Sequence, residues 1–525
     1  MNDGSAGAQA AAMPTAEERV ARLSSLRGFT GGTLWNLLGR GAPVLVAIAA
    51  TPVLIGQLGV DRWALFALAI SVVGTFGLLD LGISAALTRA LAERIGTPQE
   101  ARAPALAATG LALVLALGAA GGTAGFAAAP WCVDRLLHVP LALRPDTVLA
   151  FRILALSGPL VVANAALWGM LAAYQRFRAA NLLGIPVGVL YYVAPMLMLA
   201  WRDSLAAAVF AVVAVRAVQT LLSAALVWRQ VPELRGKARF EMREMRYLIG
   251  IGGWVTVSNT LAPLMTYADR FVVGALAPLA AVSHYVTPVD FVWRLTMLPI
   301  AVAGTLYPAV ATGHRRMPDR VQTLLRAGSL VVVATMFPAC AAMVGFGDRI
   351  MTLWLGARFA ADSQAVLMIV GGGVFFSCLA ALPATTLDGI GRPDIGAGLL
   401  VVQTVLFPPA VAAMTIAYGI EGAAVIWSVR AVTNCLVRLW VLGRVAGALR
   451  PAVRQVSWVA IAGGLALLAC ALTGPPGARL AVTLAAAAAI PCLAAHRLLD
   501  SQERDHLLRL LHVTRAREKL TRPIA

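Results

Sequence analysis

Charge is what this chain has least of. Only 13% of its 525 residues are Asp, Glu, Lys or Arg, about half the share of an average soluble domain, while 59% are hydrophobic. So little charge cannot cover a soluble globule, and the apolar surface must meet lipid. The six cysteines (Cys132, Cys340, Cys378, Cys435, Cys470, Cys492) show no CxxC and lie mostly inside apolar runs, which speaks for packing and against a metal or disulfide framework. GxxxxGK[ST], HExxH and GxSxG are all missing, and the longest outside loop, from about Trp131 to Thr147, is too short for a catalytic domain. The first 28 residues lack the basic start, apolar core and cleavage site of a signal peptide, so the first span is expected to be retained.

What the chain has is long apolar runs. The stretch from Thr33 to Arg94 holds two of them, joined at Gly59, Val60 and Asp61, and each exceeds the roughly 20 residues that cross a bilayer. Runs this long and continuous predict membrane-spanning helices rather than an outer-membrane barrel. About fourteen spans begin near Phe29, Trp63, Pro104, Val148, Ala179, Ser204, Tyr247, Leu279, Leu325, Ser363, Ile395, Ile420, Gln455 and Ala478. With the N-terminus inside, the outside loops hold seven basic residues, and seven more (Arg40, Arg152, Arg216, Arg270, Arg294, Arg430, Arg438) fall within spans. The remaining 29 of 43 lie inside. That bias predicts cytoplasmic termini and makes the net charge of +18 an orientation signal rather than a nucleic-acid footprint. Trp63, Trp131, Trp201, Trp228, Trp440 and Trp458 fall at span ends, as an aromatic belt requires.

A duplication is also legible. VRAV occurs at Val215 and again at Val429, an offset of 214, and Arg178 and Arg392 lie before matching spans at the same offset. Two parallel repeats of six spans follow. The expected fold is an all-α polytopic membrane protein with two six-helix lobes and two C-terminal helices. Its divisions are a cytoplasmic tail (1–28), an N-lobe (29–229), a basic inter-lobe loop (230–246), a C-lobe (247–443), spans thirteen and fourteen (455–499) and a basic tail (500–525).

Charges inside spans carry the functional reading, because lipid does not tolerate them and they turn to protein or water. Arg40 has no local acid and is flanked by Gly39, Gly41 and Pro43, which favour a kinked first helix. Asp290 and Arg294 are four apart and can pair, whereas the neighbours Asp269 and Arg270 point about 100° apart. A guanidinium binds two phosphate oxygens at once and keeps its charge, so Arg40, Arg270 and Arg294 are expected to line a cationic cavity for a phosphate-bearing substrate. Asp80, Asp269 and Asp290 are candidates for coupling to a proton or Na⁺ gradient. No metal or other cofactor is expected. Arg216 with Thr220 and Ser223, and Arg430 with Asn434 and Arg438, form repeat-related polar stripes that serve either the cavity or helix-to-helix hydrogen bonds.

The ordered series PVLIGQLGVDRWALFAL, GLLDLGISAALTRALAE, YADRFVVGAL, HYVTP, WLGARF, LDGIGRPD and YGIEGAAV resembles the Wzx-type polysaccharide flippases of the multidrug/oligosaccharidyl-lipid/polysaccharide exporter superfamily. The resemblance implies two lobes working by alternating access. It implies an undecaprenyl-pyrophosphate-linked oligosaccharide as substrate, moved across the bacterial inner membrane, and the polymerase and chain-length proteins of polysaccharide assembly as partners. Lipid II flippases of the same superfamily place cavity arginines in their first, second and eighth helices. Arg40 and Arg294 match two of these positions, and Asp80 stands where the second span offers no arginine. Two other readings compete: a drug or small-solute exporter of the multidrug or major-facilitator type, suggested by LAERIGTP from Leu91, and a polyprenyl-linked sugar polymerase or ligase, which the short outside loops disfavour.

Overall fold

The computed structural model describes residues 26–236, 239–313 and 317–499, with side chains in α1 described from residue 43. The helices of the first half are α1 (Leu26–Thr75), α2 (Ile83–Arg94), α3 (Ala103–Trp131), α4 (Arg144–Ala155), α5 (Gly158–Ala173), α6 (Phe177–Trp201) and α7 (Leu205–Gln230). The second half holds α8 (Met242–Leu276), α9 (Leu279–Leu295), α10 (Met297–Gly313), α11 (Pro318–Leu355), α12 (Ala357–Gly389) and α13 (Pro393–Val445), and α14 (Arg450–Leu472) and α15 (Pro476–Leu498) follow. No strand occurs among the described residues. Apolar segments in lipid have no water to satisfy their backbone, and the helix does so internally.

Two of these helices fold back on themselves. In α1 the break is Gly59, whose φ of 74° suits glycine, and in α13 it is Tyr418 and Gly419. Across the α13 turn, Gly422 lies against the Met414 carbonyl so closely that a Cβ would sit 2.1 Å from it. Eleven described segments, with α4–α5 and α9–α10 each running as one, are long and apolar enough to cross a membrane. Counting both arms of α1 and α13, and adding the 35-residue α8, gives the fourteen crossings expected. The second span departs from expectation. It breaks at a 3₁₀ turn (Phe76–Asp80) and at left-handed Leu81 and Gly82 before α2 begins.

The repeat is visible in the backbone. Before α6, Gln175 takes a left-handed φ of 56°, and the Arg176 N–H donates to the Leu171 carbonyl at 2.8 Å. Before α13, Gly391 takes φ 84°, and the Arg392 N–H donates to the Leu387 carbonyl at 3.0 Å. The true partner of Arg392 is therefore Arg176, at an offset of 216, and not Arg178 as the raw spacing suggests. A left-handed residue fixes register more tightly than a lone arginine.

The largest apolar core runs through both halves and joins α1, α8 and α9 near the Gly59 end. A second, smaller core lies toward the Arg94 end among α2, α3 and α5, and takes in Leu248 of α8 from the second half. Four of the six cysteines (Cys340, Cys378, Cys435, Cys470) are buried as packing residues, but Cys492 is exposed. Trp63 also departs from the belt reading: it is 6% exposed, against 61% for Trp131 and 92% for Trp201.

Candidate functional site between the two halves

The second arm of α1 runs antiparallel to α8, and the two approach closely. A Cβ on Gly74 would lie 2.3 Å from the Tyr267 ring. This contact brings Ser71 of the first half within reach of Arg270 of the second. Arg270 is 4% exposed; Nη1 donates to Ser71 Oγ at 3.1 Å and Nη2 to Asp290 Oδ1 at 2.5 Å. Its guanidinium carbon stands 4.9 Å from the centre of the Tyr267 ring. Charge pairing of this kind is what makes a buried guanidinium tolerable.

Asp269 turns the other way, as the 100° step of a helix requires. It is 1% exposed, and the Tyr285 hydroxyl donates to Oδ2 at 2.7 Å. Its Oδ1 is buried without a hydrogen-bond partner.

Asp290 pairs with Arg270 and not with Arg294, its neighbour four residues on. Arg294 instead donates to the Tyr192 hydroxyl at 3.1 Å and lies 5.5 Å from that ring, so it too bridges the halves. Between these groups is a cavity of about 60 Å³. Its walls are Thr51, Trp63, Phe66, Ala67, Ile70 and Tyr192 from the first half, with Thr287, Asp290, Phe291, Arg294 and Trp354 from the second. That volume holds a few waters and no headgroup, so the halves are closed here.

Three hydrogen bonds seal the Gly59 end. Trp63 Nε1 donates to Thr287 Oγ1 at 2.8 Å, Ser283 Oγ to the Val60 carbonyl at 2.5 Å, and Trp354 Nε1 to the Ile48 carbonyl at 2.8 Å. At the opposite end, Arg94 and Glu244 form an ion pair at 2.6 Å with side chains 8% and 3% exposed, tying α2 to the start of α8.

The remaining sequence candidates are dispersed. Asp80 accepts from the Ser84 N–H at 3.1 Å and the Ser84 hydroxyl at 2.5 Å, capping α2 after the break in the second span. A cap explains an acid there without a cavity. Arg216 stands 5.1 Å from the Tyr191 ring on α6, and Arg430 stands 4.3 Å from the Phe407 ring on the first arm of α13. The two repeat-related arginines thus stack on aromatics of the preceding crossing, themselves 216 residues apart. Along the Arg216 stripe, Thr220 reaches the Leu160 carbonyl at 3.2 Å and Ser223 the Asn164 Oδ1 at 2.9 Å, hydrogen bonds within the first half. Along the other, Arg438 donates to Asn434 at 2.8 Å. Arg40 lies on α1, but its side chain is outside the described residues. Helix α1 continues through Pro43 to Gly59.

Sequence reasoning missed Tyr192, Trp63, Thr287, Tyr285 and the Arg94–Glu244 pair. Only the adjacent Tyr191 and Tyr192, two hydroxyls in the middle of an apolar span, gave a readable signal. Among the described residues, no group of three or more His, Cys, Asp or Glu side chains is placed to hold a metal ion.

Known proteins agree with this architecture. A "Putative O-antigen transporter" of Shigella flexneri is 25% identical over 430 residues, covering 78% of this chain and 97% of its own length. A "Probable low-salt glycan biosynthesis flippase Agl15" of Haloferax volcanii is 23% identical over 188 residues, 35% of this chain and 39% of its own. Among solved structures, an inward-facing multidrug resistance MATE family transporter of the MOP superfamily superposes with a TM-score of 0.66 at 16% identity, over 78% of this chain and 96% of that one. The lipid II flippase MurJ, in an inward closed conformation, superposes with a TM-score of 0.64 at 10% identity, over 88% and 97%. Likeness at such identity establishes the fold, with its two helical lobes. The family model described as "Polysaccharide biosynthesis protein" matches residues 29–314, more than half of the sequence, and the chain belongs to that family of multi-pass membrane proteins.

Proposed function

We propose that the protein is a flippase, a transporter and not an enzyme, which moves a polyprenyl-pyrophosphate-linked oligosaccharide across the bacterial inner membrane by alternating access. Both termini would be cytoplasmic, which puts the Gly59 end outside. The observation that carries the reading is the cavity shared by both halves, with the Arg294 guanidinium in its wall and the Arg270–Asp290 pair at its edge. An acidic pyrophosphate entering from the Arg94 end would meet Arg294 and could draw Arg270 from Asp290. Binding the charged head more tightly in one arrangement of the halves than in the other is what lets a substrate drive the change. Asp290, released from its pair, and Asp269, with one free carboxylate oxygen, are the candidates for a coupling ion.

Arg40, Arg270 and Arg294 remain the proposed substrate contacts. The test is single replacement of Arg40 and Arg294 by Ala, with lipid-linked oligosaccharide assayed on the cytoplasmic face of cells. Accumulation at normal protein abundance supports the reading; normal export by both variants rejects it.

A specific feature favours a second reading. Trp63, Phe66, Tyr192, Phe291 and Trp354 surround Asp290 in the cavity, and an aromatic wall with a carboxylate suits an organic cation. A cationic-solute exporter would lose dye efflux on replacement of Asp290 by Asn and leave lipid-linked oligosaccharide unchanged.

A further inference from the structure

A second concave site lies away from the cavity, where the ends of α13, α14 and α15 meet. It is a groove of about 910 Å³ that contains Arg444, Arg450, Arg454 and Arg497, with Trp440 and Trp458 along it. No acidic residue lines it, and none of its four arginines pairs with a carboxylate among the described residues. All four are exposed. Two are held in place: Arg450 Nε donates to the Gly443 carbonyl at 2.9 Å, and the Arg444 guanidinium stands 4.9 Å from the Trp440 ring. The wall adds Gln455, whose Oε1 is buried with no hydrogen-bond partner. An anion in the groove would meet the other end of that amide, its N–H₂ donor.

The neighbouring surface of α13 says what kind of anion. Val425, Val429, Val432, Leu436 and Trp440 recur every three or four residues and form one stripe, which passes from the groove toward the middle of the crossing. An apolar cleft of about 250 Å³, lined by Ile369, Val425, Ser428, Val429, Val432 and Thr433, opens on that stripe. Trp440 is 61% exposed and Trp458 59%, the placement of indoles at the depth of lipid headgroups. The groove and cleft share no residue with the cavity between the halves.

We propose that this groove binds the phosphodiester head of an anionic glycerophospholipid, with an acyl chain along the Val425–Leu436 stripe of α13. Forked cations suit the non-bridging oxygens of a phosphodiester, and the cleft gives the chain a seat that a free phosphate would not use. The bound lipid would tie α14 and α15 to the second half.

The full-length protein in detergent tests this by native mass spectrometry and thermal unfolding, with phosphatidylglycerol, phosphatidylcholine and inorganic phosphate as separate probes. Phosphatidylglycerol is expected to bind and to raise the unfolding temperature above what phosphatidylcholine or phosphate achieves. Arg454→Gln and Arg497→Gln should each weaken it by about fivefold, and Arg246→Gln, an exposed arginine elsewhere, should not. Val429→Trp, which fills the cleft on an exposed position, should weaken the lipid with every arginine in place. Equal binding of phosphatidylcholine, unchanged binding in the arginine variants, or stabilisation by phosphate as large as by the lipid would each overturn the proposal. Co-purification of a lipid-linked pyrophosphate, lost in the same arginine variants, would also overturn it. The readouts are binding and stability, so they stand or fall independently of transport.

Discussion

Arg270 and Asp290 meet at 2.5 Å across the α8–α9 hairpin, although Asp290 has another arginine one turn along its own helix. The pair leaves Arg294 free to reach the opposite half. Asp290→Asn should leave Arg270 buried without its ion-pair partner and lower stability by about 1–3 kcal/mol, since the Asp290 side chain is itself a third exposed. Arg270→Met in the same background should recover part of that loss. Denaturation of the two single variants and the double variant, set out as a cycle, measures the coupling, and additive losses would deny it.

Arg94 and Glu244 are more deeply buried, and either one alone is an uncompensated charge. Glu244→Gln is expected to cost about 3–5 kcal/mol, and joint replacement of both by apolar residues of similar size should cost less than Glu244→Gln alone. Thermal unfolding of the purified variants decides it.

Gln175 occupies the left-handed position that Gly391 fills in the other repeat. Gln175→Gly should therefore stabilise by up to about 1 kcal/mol or be neutral, while Gly391→Gln should destabilise by about 1–2 kcal/mol. The opposite signs at equivalent positions also test the 216-residue register.

Gly74 lets α1 and α8 close at the Tyr267 ring. Gly74→Val should hold the halves apart there, displacing Tyr267 from Arg270. In a background without native cysteines, a cysteine at Thr51 on the cavity wall should then react with a polar maleimide faster than it does with Gly74 present. Unchanged reactivity would place the closure elsewhere.

Much of this architecture could be read along the chain. The crossings were legible because hydropathy is a sum over about 20 consecutive residues and needs no partner, and the folds at Gly59 and Gly419 follow from runs too long to cross once. The repeat was legible in Arg216 and Arg430, and two residues out of register at Arg178, because a sequence offset cannot see which residue is left-handed.

By itself, then, the sequence determined that the chain crosses a membrane many times, that its halves are related and that Arg270, Arg294, Asp269 and Asp290 lie where lipid would not accept them. Only the tertiary structure decided who answers each charge. Asp290 takes Arg270, Arg294 takes Tyr192, Asp269 takes Tyr285, and Asp80 takes Ser84. Burial of a charge is set by the helix that carries it, but its partner is set by the crossing of that helix with another distant in sequence.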